Sequence, residues 1–188
     1  MIVILTGILA TVEQDRWKEV VESLSPSTVS STEQCKSMLE LSYRHLPDKL
    51  KPCFLYFGAF PEDQELTTEK LTWLWIAEGF VRKNQSKSLE DKAMDYLMHL
   101  ISRSLVMVSK QSSTGRVKTC CIHDLLHEFC LAKAKEERFF QLLQGFDELS
   151  GFNEPHNHRR LWIYSKPKHF MGSSLFCPRV RCLLFFNR

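Results

Sequence analysis

Apolar residues recur at helical spacing through most of the first 140 positions of the chain. Thr11–Leu24 places Val12, Trp17, Val20, Val21 and Leu24 on one stripe with charges between them, which predicts an amphipathic helix. Residues 25–32 (SPSTVSST) read as a polar linker. Glu33–Leu46 carries Met38, Leu39, Leu41 and Leu46 in a second helical pattern, and Pro47 stops it. Asp48 is then a predicted N-cap for a third helix running to about Phe60, where Pro61 intervenes and Glu62-Asp63 supply turn chemistry.

Thr67-Thr68-Glu69 predicts a helix start, Lys70–Glu78 the helix, and Gly79 its end. Leu71, Leu74 and Trp75 fall on one side of it and Trp73 and Ile76 on the other. Such a helix is expected to pack on both sides. After a polar connector at Arg82–Lys87, Ser88 is the predicted cap of a long helix with the stripe Leu89, Ala93, Tyr96, Leu97, Leu100 and Ile101. Leu105–Val108 reads as a strand and Ser109–Gly115 as a hairpin tip. Arg116–Ile122 reads as a half-exposed strand with Val117, Thr119 and Cys121 on one face. His123-Asp124 opens a last helix to about Lys135, with Leu126, Phe129 and Cys130 inward. Gly145–His158 is loop-like. Two short strands follow, Leu161–Ile163 and Val180–Phe186, in which Leu161 and Ile163 recur as Leu183 and Phe185 after 22 residues. That interval lies within the period of a leucine-rich repeat, and Val180-x-x-Leu183-x-Phe185 matches its skeleton.

Composition narrows the class. The chain has 188 residues, 44% hydrophobic and 25% charged, as a globular protein does. The net charge of +3 is uneven: residues 145–188 carry seven Lys/Arg against three Asp/Glu, and the rest carry eighteen against nineteen. The body therefore lacks a nucleic-acid footprint. Seven cysteines, an odd number without a CxxC, favour free thiols in a reducing compartment. Met1–Ala10 is apolar but lacks a basic flank, and ten residues fall short of a bilayer's ~30 Å hydrocarbon, so a buried helix end is expected.

Two motifs sharpen the picture. Lys51-Pro52-Cys53-Phe54-Leu55-Tyr56-Phe57-Gly58-Ala59-Phe60-Pro61-Glu62-Asp63, followed about sixty residues later by Ile122-His123-Asp124-Leu125-Leu126, resembles a pair of signatures in plant immune receptors. The resemblance is to the coiled-coil, nucleotide-binding (NB-ARC), leucine-rich-repeat class of the late-blight resistance type. The first motif is similar to the segment opening the winged-helix part of NB-ARC. The second is similar to the MHD motif, with Ile122 in place of Met. The resemblance implies a mainly α fold with a small β-hairpin. Its expected parts are the end of a helical NB-ARC subdomain (1–46), a winged helix (48–135), a linker (136–154) and the start of a leucine-rich repeat (155–188). Met1–Ala10 would follow the family's GLPL motif, so the chain is expected to start in mid-fold.

The resemblance also implies a role. These receptors are intracellular sensors that rest with ADP, switch to ATP on pathogen recognition, and trigger defence and hypersensitive cell death. His123 would contact the nucleotide phosphate, with Asp124 as its support. Imidazole can donate to a phosphate oxygen, and a carboxylate in a first helical turn suits the helix dipole. The implied partners are the receptor's nucleotide-binding domain and repeats and, indirectly, a pathogen effector or guarded host protein. The implied location is cytoplasmic, with peripheral membrane association as a further expectation. Within the chain there is no GxxxxGK[ST] loop, so tight ADP or ATP binding and enzymatic turnover are not expected of it alone.

Three other readings compete. His123, His127 and Cys130 at i, i+4 and i+7, near Cys120 and Cys121, are competent zinc ligands, but the spacing matches no standard finger and no metal site is expected. Trp73 and Trp75 could form a partner surface, although core plus subdomain interface is the plainer reading. A DNA-binding winged-helix regulator is the alternative function. The helix in the reading position carries Glu90, Asp91 and Asp95 against Lys92 and Arg103, the wrong sign for a phosphate backbone.

Overall fold

The computed structural model describes residues 31–62, 64–83, 86–143, 159–164 and 180–186. The expectations for Met1–Ala10, the Thr11–Leu24 helix and the Gly145–His158 loop lie outside them. Among the described residues five α-helices and six short strands form, in the order α1 (Ser31–Arg44), α2 (Lys51–Leu55), β1 (Leu66–Thr67), α3 (Thr68–Ala77), α4 (Leu89–Ser102), β2 (Met107–Gln111), β3 (Val117–Cys121), α5 (Asp124–Glu136), β4 (Gln141–Leu143), β5 (Arg160–Tyr164) and β6 (Cys182–Phe186). The fold is helix-rich with small sheets. Helices α2, α3 and α4, the β2–β3 hairpin and the closing α5 make a winged helix, and a parallel sheet follows it.

The local start signals act where side chains can reach free amides. Thr67 caps α3 by accepting from the Lys70 amide, and Ser88 caps α4 by accepting from the Asp91 amide at 3.0 Å. Gly79, at φ 74°, turns the chain out of α3, and its amide and that of Phe80 reach back to Ile76 and Trp75 carbonyls. Asp48 does not act as predicted. Helix α2 starts only at Lys51, with Leu50 at the N-cap and no side-chain cap, while the Asp48 carboxylate pairs with Lys51 Nζ at 2.7 Å in solvent. Pro52 sits in the first turn, where its missing N–H costs nothing. After Leu55 the chain tightens into a 3₁₀ turn, Tyr56–Ala59, instead of continuing as α-helix. Phe60 is extended, as a residue before proline prefers.

Residues 53–60 are all buried. They run under α5, and a Cβ on Gly58 would meet Cys130 Cβ at 3.3 Å, so glycine permits the close crossing. Trp75, Tyr56, Phe54, Phe57 and Leu97 are among the largest fully buried side chains. Helix α3 differs from its pattern. Trp75 and Leu71 are buried, but Trp73 is 53% exposed, so only one face of α3 meets the core of the described residues.

In the first sheet the order is β1-β3-β2, all antiparallel, with a bulge in β2 around Ser109. The predicted alternation in β3 fails: Val117 and Cys120 are the buried residues and Cys121 is intermediate. The pairing with β2 passes from Thr119 to Val117 and skips Lys118, an irregularity that breaks the strict alternation and leaves Val117 and Cys120, three positions apart, both inward. The predicted strand Leu105–Val108 is displaced: Leu105 and Val106 are buried ahead of β2, which begins at Met107.

The second sheet is parallel, in the order β4-β5-β6. Leu161 pairs with Leu183 and Ile163 with Phe185, the same 22-residue offset that the sequence shows. Strand β4 lies within the stretch expected as a linker and pairs Leu142 with Trp162. Trp162 is fully buried, with its ring 5.5 Å from that of Tyr56, so the winged helix and the parallel sheet share one core. Leu143, Leu161 and Ile163 form a second small core on the other face. Among the described residues no helix is long and apolar enough to cross a membrane.

Candidate functional site at the start of helix α5

His123 is the N-cap of α5, reached directly from the end of β3. Its backbone is extended, and its carbonyl accepts the first intrahelical bonds, from the Leu126 and His127 amides at 2.9 Å. Its imidazole is half-exposed. Nδ1 accepts from the Leu125 amide at 3.4 Å and also lies against Asp124 Oδ1. Asp124 Oδ1 accepts from the same Leu125 amide at 2.6 Å. One backbone donor thus serves both side chains, and the two predicted site residues are brought together at the module's surface.

This arrangement controls what Nε2 can do. When Nδ1 accepts from the Leu125 amide, the neutral imidazole carries its proton on Nε2 and can donate outward. When Nδ1 carries a proton, it donates to Asp124, and Nε2 donates only in the imidazolium form. In the Nε2–H tautomer and in the imidazolium form, Nε2–H can offer a single bond to an anion, beside the N-terminus of α5 with its favourable dipole.

The remaining zinc-type residues are directed elsewhere. Cys130 Sγ donates to the Phe54 carbonyl at 3.4 Å, and burial pushes its thiol pKa well up. Cys120 is fully buried and its thiol is pushed up to about 12 by the same cause. Among the described residues no three metal-competent side chains come together.

His127 was read only as part of that set, and the structure places it differently. It is buried, and its Nε2 meets the Phe60 carbonyl at 2.8 Å, which makes Nε2 the protonated nitrogen. Nδ1 has no hydrogen-bond partner and lies 3.7 Å from Glu62 Oε1. This imidazole therefore pins the first turns of α5 to the turn that ends the buried 53–60 run. His127→Leu is expected to cost about 1–3 kcal/mol, because it strands a buried carbonyl. His127→Gln, whose amide can reach the same carbonyl, is expected to cost less. Urea unfolding followed by circular dichroism compares the two. Equal losses would show that volume, not the bond, matters.

A buried ion pair went unforeseen. Arg160 Nε donates to Glu78 Oε2 at 2.7 Å, across 82 residues, with both side chains largely buried. The guanidinium lies 4.9 Å from the Phe80 ring and 4.5 Å from the Phe139 ring, and Nη1 donates to the Phe139 carbonyl. Tyr164 OH donates to the Ala59 carbonyl nearby. At the other end of α5, Tyr43 OH donates to Glu137, and Lys133 bonds Glu40 of α1 at 2.8 Å. The site helix is thus held by α1 at its C-terminal end and by the Phe60 turn near its start.

Residues 59–130 match the model of the disease resistance protein winged helix domain. These residues are a winged helix of the disease resistance protein family. Both expected motifs fall at its edges: the Phe60-Pro61 turn at its start, and His123-Asp124 shortly before its end. The chain is 38% identical over 192 residues to a late blight resistance protein homolog of Solanum demissum, covering 99% of this chain and 15% of the relative. A second such homolog is 43% identical over 141 residues, 73% of this chain and 11% of the relative. The ToMV resistance protein Tm-2(2) of Solanum lycopersicum is 39% identical over 196 residues, 100% of this chain and 22% of the relative. The chain therefore spans less than a quarter of the length of these relatives. The expected family, late-blight type included, and the helix-rich fold with small sheets both stand.

Proposed function

We propose that this chain is the regulatory segment of an intracellular plant immune receptor, which holds the receptor's ADP-bound resting state until a pathogen is sensed. The observation that carries the reading is the His123–Asp124 pair. A half-exposed imidazole, oriented by a neighbouring carboxylate and a helix amide, offers one N–H at the rim of a rigid module. A nucleotide held by another domain would present its phosphate to that N–H, and closure of the winged helix would depend on the contact. The parallel sheet extends the reading, since strands offset by 22 residues can seed a leucine-rich-repeat solenoid. ADP and ATP would be the ligands of the whole receptor. Its partners would be the nucleotide-binding domain, the further repeats and, indirectly, an effector or guarded host protein. The setting would be cytoplasmic or peripheral to a membrane.

The test replaces the matching segment of the Solanum demissum homolog with this chain and follows release of fluorescent ADP from the purified receptor. His123→Ala is expected to speed release about tenfold, the equivalent of one charge-assisted hydrogen bond. An unchanged rate sinks the reading. The 188-residue chain alone is expected to show no micromolar ADP affinity by calorimetry, because one imidazole lacks the amide nest that dominates phosphate binding.

A further inference from the structure

A cleft lies at the junction of the parallel sheet with the winged helix, and His123 is not among its lining residues. It has a volume of about 400 Å3 and is walled by the C-terminal end of α3 and the first residues of β5 and β6. Three arginines line it: Arg159, Arg160 and Arg181. Arg160 is committed to Glu78 and to the Phe80 and Phe139 rings. Arg159 and Arg181 are exposed, and neither has an anionic partner among the described residues.

Their placement is not that of two scattered surface charges. The Arg159 carbonyl accepts from the Arg181 amide at 2.8 Å and from the Cys182 amide at 3.1 Å. The two arginines therefore stand side by side where adjacent parallel strands begin, separated by the sheet's 22-residue offset. Like charges on neighbouring strands are destabilising. The adjoining helix end does not call for them either. The last carbonyls of α3 are already satisfied, Leu74 by the Glu78 amide, Trp75 by Phe80 and Ile76 by Gly79. Tyr56, whose ring backs the cleft, is fully buried, so the polar groups an entering anion can reach are those of the arginines and the strand starts.

We propose that this cleft binds a compact anion carrying two or more phosphate groups, held by the guanidinium forks of Arg159 and Arg181. Two planar forks can each engage a phosphate by paired N–H···O bonds, so an anion with two phosphates gains more such bonds, and more charge, than one with a single phosphate. Glu78, bonded to Arg160, limits how deeply an anion enters, so the ligand sits at the mouth. Such a ligand would touch winged helix and sheet at once and would tighten their junction.

Calorimetry on the 188-residue chain at about 150 mM salt tests this, at an ionic strength that screens diffuse attraction. The probes are sodium pyrophosphate and, separately, sodium orthophosphate. Pyrophosphate is expected to bind at least about tenfold more tightly than orthophosphate. Arg159→Gln and Arg181→Gln are each expected to weaken it about tenfold, while Arg116→Gln in the distant hairpin leaves it unchanged. Should a Gln variant unfold, Arg→Lys at the same position replaces it; the charge stays, the fork is lost, and weaker binding is still expected. Absent heat, equal binding by all variants, or an equal loss in Arg116→Gln would each overturn the proposal.

Discussion

Arg160→Ala is expected to cost about 3–5 kcal/mol, the usual penalty for stranding one partner of a buried ion pair. The Glu78 carboxylate would remain buried, with one oxygen already lacking a hydrogen bond in the intact protein. The variant would also lose the planar cation between the Phe80 and Phe139 rings, so the damage is to packing as well as charge. Because the pair joins α3 to β5, the loss should be felt first in the parallel sheet. Amide exchange at Leu161, Trp162 and Ile163 is the direct measurement, with urea unfolding as the global one. The double variant Glu78→Met with Arg160→Met should recover most of the stability, since apolar replacements of both partners leave no orphan charge. A loss below about 1 kcal/mol in Arg160→Ala would mean that the pair is hydrated and behaves as a surface bridge.

Asp124→Val is expected to turn the assembled receptor on without a pathogen. The carboxylate accepts from the Leu125 amide and flanks His123 Nδ1. Its removal takes an anion from the start of α5, worth about 0.5–2 kcal/mol as cap and dipole partner. It also leaves the imidazole with a single orienting bond. If the resting and active states differ by a few kcal/mol, a loss of this size moves the active population about tenfold. The readout is cell death in leaf tissue expressing the segment-swapped receptor, with protein levels matched by immunoblot. His123→Ala should act in the same direction. Two variants that accumulate normally and stay silent would return the pair to a purely structural role.

Much of the site was legible beforehand because its determinants are local. An N-cap followed by an acidic first turn is written in consecutive residues, and His123-Asp124 lie where that grammar places them. The position of His127 is not local in this sense. Its spacing from His123 and Cys130 puts the three near one helical face, but spacing does not say which neighbour each ring meets. Only the approach of the Phe60 carbonyl turns this imidazole inward, away from any shared ligand.

By itself the sequence determined the helix starts at Thr67 and Ser88, the turn at Gly79 and the 22-residue offset of the parallel strands. Each rests on a side chain within a few residues of the amide it serves, or on a repeated pattern that strand pairing must honour. Tertiary structure decided the rest. Asp48 had capping chemistry, but α2 begins at Lys51, where the chain can enter the core, and the carboxylate stays in solvent. Trp73 and Trp75 are the same residue type two positions apart, yet one is half-exposed and the other fully buried, because only one face of α3 meets the core of the described residues. Glu78 and Arg160 could find each other only after the parallel sheet had docked, since no local rule links charges 82 residues apart.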